Sequence, residues 1–124
     1  MILNLTQHLA TPEQKAAGVR DLPEPERKIL IGHLTFAEIP TTKELLERAQ
    51  KISTLAATFI NGADSKYAMI GGAPFLMSVL ESSLMFSDIT PLYAFSKRVV
   101  EEKTNADGTV EKISVFKHAG FVGV

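Results

Sequence analysis

Residues 67–86 read YAMIGGAPFLMSVLESSLMF. The first four, Tyr67 to Ile70, are a short apolar run with no polar face, as expected of a strand buried on both sides. Gly71-Gly72 breaks that run. Ala73-Pro74 then opens a helix, since Pro is at home in the first helical turn, where its missing N–H costs nothing. The helix is predicted to run to about Phe86 and to carry Phe75, Leu76, Val79, Leu80 and Leu84 on one broad face. A strand passing through a glycine turn straight into a helix is the grammar of an α/β sheet.

The same grammar extends on both sides. Met1 to Thr6 reads as a first strand. Thr11-Pro12-Glu13-Gln14 has the residues of a capped helix start, and Gly18 keeps that helix short. Leu22 to Pro25 is a connector, and Glu24 to Leu34 a helix with Ile29, Leu30 and Leu34 inward. Thr35 to Pro40 is irregular. Thr41 opens the clearest helix, where Leu45, Leu46, Ala49, Ile52, Ser53 and Ala56 recur at three- and four-residue steps until Asn61-Gly62. Pro91 to Lys97 is a third strand. Asn105 to Gly108 then forms a turn, and Val110 to Phe116 alternates as the return arm of a hairpin. The tail, Ala119 to Val124, reads as an edge strand or an oligomer contact. The expected fold is therefore a single α/β domain over residues 1–124. It is small and Rossmann-like, with a parallel sheet core, helices on its faces and a C-terminal β-hairpin. Ile70, Leu76, Val79, Leu80, Leu92, Ala94, Leu45 and Ile52 are the expected core.

The chain has 124 residues, 45% of them apolar, enough for a core without covalent staples. Thirteen Lys and Arg against fourteen Asp and Glu argue against an extended nucleic acid as partner, which needs a basic surface. The chain has no Cys, so disulfides and thiolate metal sites are excluded. No apolar run is long enough to span a membrane, and the N-terminus lacks the basic region of a signal peptide. A cytoplasmic setting is the expectation.

Ligands of open parallel sheets bind outside the carboxyl ends of the strands. Three segments should meet there: Asn4, Thr6, Gln7 and His8; Gly71, Gly72 and Ala73; and Ser96, Lys97 and Arg98. The bare glycine backbone admits close approach. The helix that follows has no side-chain oxygen at its start to satisfy its first N–H groups, which suits an anion such as phosphate. The same turn would also serve simple strand-to-helix packing. Lys97 and Arg98 would neutralise charge, or be ordinary surface cations. Thr6, His8 and Ser96 are the candidate catalytic groups, His8 as base or phosphate donor and Ser96 as nucleophile if a base lies beside it. His33 and His118 show no metal-ligand spacing, so neither a metal nor an organic cofactor is expected.

The strings NLTQHLATPEQ, YAMIGGAPFLMSVLE, PLYAFSKR and VFKHAGFV together resemble a group of short, uncharacterised bacterial and phage proteins. More loosely, the chain is similar to small CRISPR-associated Rossmann-fold proteins of the CARF type, some of which act as ring nucleases on cyclic oligoadenylates. That likeness implies that Asn4, Thr6 and His8 face the ligand, that Gly71, Gly72 and Ala73 donate N–H groups to phosphate, and that Lys97 and Arg98 balance its charge. The C-terminal hairpin departs from the CARF pattern, and the homodimer usual in such proteins is left open. Two readings follow. One is the binding, with or without cleavage, of a small anionic ligand of the nucleotide class. The other is a non-enzymatic protein-interaction module.

Overall fold

The computed structural model describes residues 1–62 and 66–123. Five strands form one sheet in the order β2-β1-β3-β4-β5. They are β1 (Ile2–Asn4), β2 (Val19–Asp21), β3 (Tyr67–Met69), β4 (Thr90–Thr104) and β5 (Val110–Gly123). The first four run parallel, and β4 and β5 are antiparallel. The helices are α1 (Pro12–Ala16), α2 (Glu24–Leu34), α3 (Thr42–Ile60) and α4 (Pro74–Phe86). The α/β class, the parallel core and the C-terminal hairpin are as expected from sequence.

The helix boundaries follow from local chemistry. Thr11 caps α1 through a reciprocal box, its side chain accepting from the Gln14 N–H while the Gln14 side chain accepts from the Thr11 N–H. Thr41 accepts from the Glu44 N–H and starts α3. Gly62, at φ +87°, turns the chain out of α3. Between α2 and α3, Arg48 donates to the carbonyls of His33 and Thr35, at 3.2 and 2.5 Å, and lies over the Phe36 ring. It thereby satisfies the end of α2 and fixes the 35–40 loop.

The core lies between one face of the sheet and α2, α3 and α4. Leu3, Leu5, Ala68 and Ile70 meet Leu30, Ile52, Ala56, Leu76, Leu80 and Leu84 there. Ser53, buried between α3 and α4, hydrogen-bonds the Ser83 hydroxyl at 2.8 Å. On the other face a smaller cluster joins Ala10, Val19 and Met69 to Ile2 and Phe121. Of the expected core, Ile70, Leu76, Leu80 and Ile52 are buried, and Val79, Leu92 and Leu45 are half-buried. Ala94 is exposed. It lies past Leu92, the last residue of β4 paired with β3, so no layer covers it. Ile29, Leu46 and Phe75 are also exposed, because each helix buries a narrower stripe than its run of apolar residues suggests.

Three strand readings are corrected. β2, absent from the sequence reading, is three residues between Gly18 and Leu22 that pair with β1. β4 does not stop at Lys97 but runs to Thr104. β5 does not stop at Phe116 but absorbs the tail as far as Gly123. Val124 lies outside the described residues.

Candidate functional site

From β1 the chain passes through α1 to β2 on one side, and then through α2 and α3 to β3 on the other. The loops leaving β1 and β3 therefore diverge at adjacent strands, which is where open parallel sheets form a ligand crevice. A cavity of about 540 Å3 lies there. Thr6, His8, Gln14, Gly71, Gly72 and Tyr93 are among the residues that line it.

One buried residue builds the β1 side. Asn4 is 3% exposed. Its amide nitrogen donates to the His8 carbonyl at 2.7 Å and to Asp21 Oδ1 at 2.8 Å. Its Oδ1 accepts from the Thr6 N–H at 2.9 Å and the Thr6 hydroxyl at 2.7 Å. An Asn amide has two donor hydrogens and two acceptor sites, and all four are engaged. Asn4 is not among the residues lining the cavity; it positions the Thr6–Ala10 loop. Asp21 adds a bond from the Ala10 N–H at 3.0 Å, and Arg27 holds the Gln7 carbonyl at 3.0 Å. This loop faces the cavity through Thr6, Gln7, His8 and Leu9.

The β3 side is bare backbone. Gly72 has φ +145°, a conformation that favours glycine. A Cβ on Gly71 would meet Thr6 Cγ2 at 3.6 Å, so the two loops touch across the crevice. Ala73 caps α4 without a side-chain hydrogen bond, and Pro74 follows. Among the described residues, the N–H groups of Gly71, Gly72 and Ala73 have no protein acceptor. These donors stand at the N-terminus of a thirteen-residue helix, whose dipole adds positive potential.

The third segment lies further out. Arg98 is six residues beyond Leu92 along β4, roughly 20 Å at strand rise. Ser96, Lys97 and Arg98 are exposed and do not line the cavity. Alternation along β4 puts Ser96 and Arg98 on the face of Ala94, which does line it, and Lys97 on the opposite face. Arg98 lies over the Phe116 ring, 5.2 Å from its centroid. The structure thus unites the first two predicted segments and leaves the third on an arm leading away from them.

Sequence reasoning missed two features. His118 stands opposite Ser96 in the β4–β5 register; only the exact pairing, with its irregularity between Phe95 and Ser96, brings them level. Tyr93 lines the cavity and donates its hydroxyl to Glu81 on α4 at 2.5 Å. Burial, the hydrogen bond and the Glu81 charge push its phenol up to about 12. Among the described residues, no group of three His, Cys, Asp or Glu is placed to hold a metal. No helix of the described residues is long and apolar enough to cross a membrane.

These features define an α/β domain with a crevice at the point where its strand order reverses. The chain belongs to the Uncharacterized protein MJ1673 family, whose model matches residues 1–122. No curated protein and no solved structure matches it.

Proposed function

We propose that the crevice between the β1 and β3 loops binds a small anionic ligand, a phosphorylated molecule of the nucleotide class. The observation that carries this reading is the set of unpaired N–H groups of Gly71, Gly72 and Ala73 at the start of α4, beside the cavity. Oriented donors at a helix start suit phosphate oxygens. Thr6 and His8 would approach the same group from the loop that Asn4 holds. Ser96 and Arg98 would meet only the outer part of a ligand long enough to leave the cavity along β4, as an oligonucleotide is, and Lys97, on the opposite face of the strand, would add only to the surrounding potential. The looser likeness to CARF-type proteins points to the same ligand class. Cleavage would need the fixed donors to stabilise a developing charge, with Thr6 or His8 at the reacting atom.

The test is calorimetric titration with inorganic phosphate, mononucleotides, and linear and cyclic oligonucleotides, repeated on His8→Ala and Arg98→Ala. Heat from a phosphorylated ligand, weakened by His8→Ala, is expected. Weakening by Arg98→Ala only for oligonucleotides would assign the arm to the outer phosphates. Silence across the panel would sink the reading. The interaction-module reading would then stand, favoured by the exposed apolar side chains of the β4–β5 arm, such as Phe116 at 69% and Val100 at 61%.

A further inference from the structure

Only Thr90–Leu92 of β4 pairs with β3. From Tyr93 outward, the hairpin of β4 and β5 has no other strand beside it among the described residues. It is a two-stranded ribbon roughly 40 Å long at strand rise. Such a ribbon is marginal on its own in water, and this one exposes Val100, Val110 and Phe116. Among the described residues, no strand pairs with the outer edge of β5. The arm carries five cations and four carboxylates between Tyr93 and Gly123, a balance that suits neither a polyanion nor an acidic membrane.

The order of side chains on β5 is symmetric about Ser114 in a way that suits the strand itself. Glu111 and Lys117 stand three residues to either side, and Ile113 and Val115 one residue to either side. We propose that the β5 edge pairs antiparallel with the β5 edge of a second copy of this chain, about a two-fold axis through Ser114. Charges normally keep an edge from pairing. Here reversal of the strand brings opposite signs together, Glu111 facing the partner's Lys117 and the reverse. Ile113 then faces the partner's Val115 on the same side, which Val99 also occupies, since it is opposite Val115 in the β4–β5 register. Lys117 already meets Glu101, so the new pair extends an ion network rather than burying a lone charge. The two ribbons become one four-stranded sheet whose apolar side chains have cross-strand neighbours, and the interface is isologous, as a two-fold dimer requires. This pairing does not depend on what the crevice binds.

The test uses the absence of native cysteine. A residue on the axis faces its own copy at a separation a disulfide can span. Ser114→Cys should give mainly disulfide-linked dimer on mild oxidation, and Lys112→Cys, displaced from the axis, should not. In sedimentation, Glu111→Lys alone and Lys117→Glu alone should each weaken dimerisation by roughly tenfold, because like charges then face each other twice. An equimolar mixture of the two variants should restore it, since both pairs become opposite in the mixed dimer. A parent chain that sediments as a monomer overturns the proposal. So does a dimer in which Ser114→Cys and Lys112→Cys cross-link alike, or in which neither charge variant nor their mixture changes the affinity. Circular dichroism of each variant separates these outcomes from loss of fold.

Discussion

Asn4 donates to the Asp21 carboxylate at 2.8 Å, tying the end of β1 to the end of β2 beneath the crevice. The contact is more than a strand-end bond, because the same side chain also holds His8 and Thr6. Asn4→Ala would leave the Thr6 N–H without its acceptor, Asp21 without one donor, and the His8 carbonyl with only the Thr6 hydroxyl, at 3.1 Å. Losing partners for buried polar groups costs about 1–3 kcal/mol. A destabilisation in that range is expected by urea unfolding, together with faster hydrogen exchange at the Thr6 amide. Unchanged exchange there would mean that the loop holds its shape without Asn4.

The two glycines of the crevice should respond differently to the same substitution. Gly72 sits at φ +145°, and a Cβ there would also come within 3.7 Å of Met77 Cε. Gly72→Ala is therefore expected to cost about 1–3 kcal/mol from backbone strain. At Gly71 the only near neighbour of a Cβ is Thr6 Cγ2 at 3.6 Å, an ordinary contact, and its φ lies outside the left-handed region. Gly71→Ala should stay within about 0.5 kcal/mol of the parent. Chemical denaturation of the pair decides it; equal costs would refute the assignment of strain to Gly72 alone.

Leu80 is fully buried between α4, α3 and the sheet. Leu80→Ala removes three carbons and leaves a cavity, at a cost of about 2–5 kcal/mol. Phe75, five residues earlier on the same helix, is half exposed and leans edge-on against Phe36. Phe75→Ala should cost less than Leu80→Ala in thermal unfolding. The reverse order would put the buried stripe of α4 on the wrong side.

What could be read in advance followed the length of each signal. The boundaries of α3 were legible from the Thr41 cap, Gly62 and repeated apolar spacing, and the starts of α2 and α4 from prolines in their first turns. β2 was not, since Val19-Arg20-Asp21 is too short to display a period and owes its strand to pairing with β1. The crevice was half legible. Gly71-Gly72 and the Thr6–His8 segment follow from strand ends, and strand ends can be located by their breakers. Ser96 to Arg98 carries no breaker, and β4 runs on through it because β5 supplies partners over the full hairpin. Asn4 shows the remaining limit. A polar residue at a strand end has the same letter whether it faces a ligand or its own loop, and only the positions of Asp21 and His8 decide.

The bond from Tyr93 to Glu81 makes a pH-dependent contribution with a definite sign. The phenol must be protonated to donate, so the fold favours the neutral form and raises the pKa from the ordinary 10 to about 12. Below pH 10 the phenol is neutral in folded and unfolded chains alike, and the contribution is fully present. Between 10 and 12 the unfolded chain has lost a proton that the folded chain keeps, so stability falls as pH rises. Above 12 both forms are ionised and the contribution is gone. Tyr93→Phe removes the group and should flatten this part of the stability profile, while lowering stability at neutral pH. The chain has two tyrosines, so the phenolate absorbance that disappears in Tyr93→Phe can be assigned directly, and its midpoint in the parent should lie near 12. A midpoint near 10, or a stability slope between pH 10 and 12 unchanged by Tyr93→Phe, would mean that Glu81 does not hold this hydroxyl in solution and that the wall of the crevice at α4 is open to water.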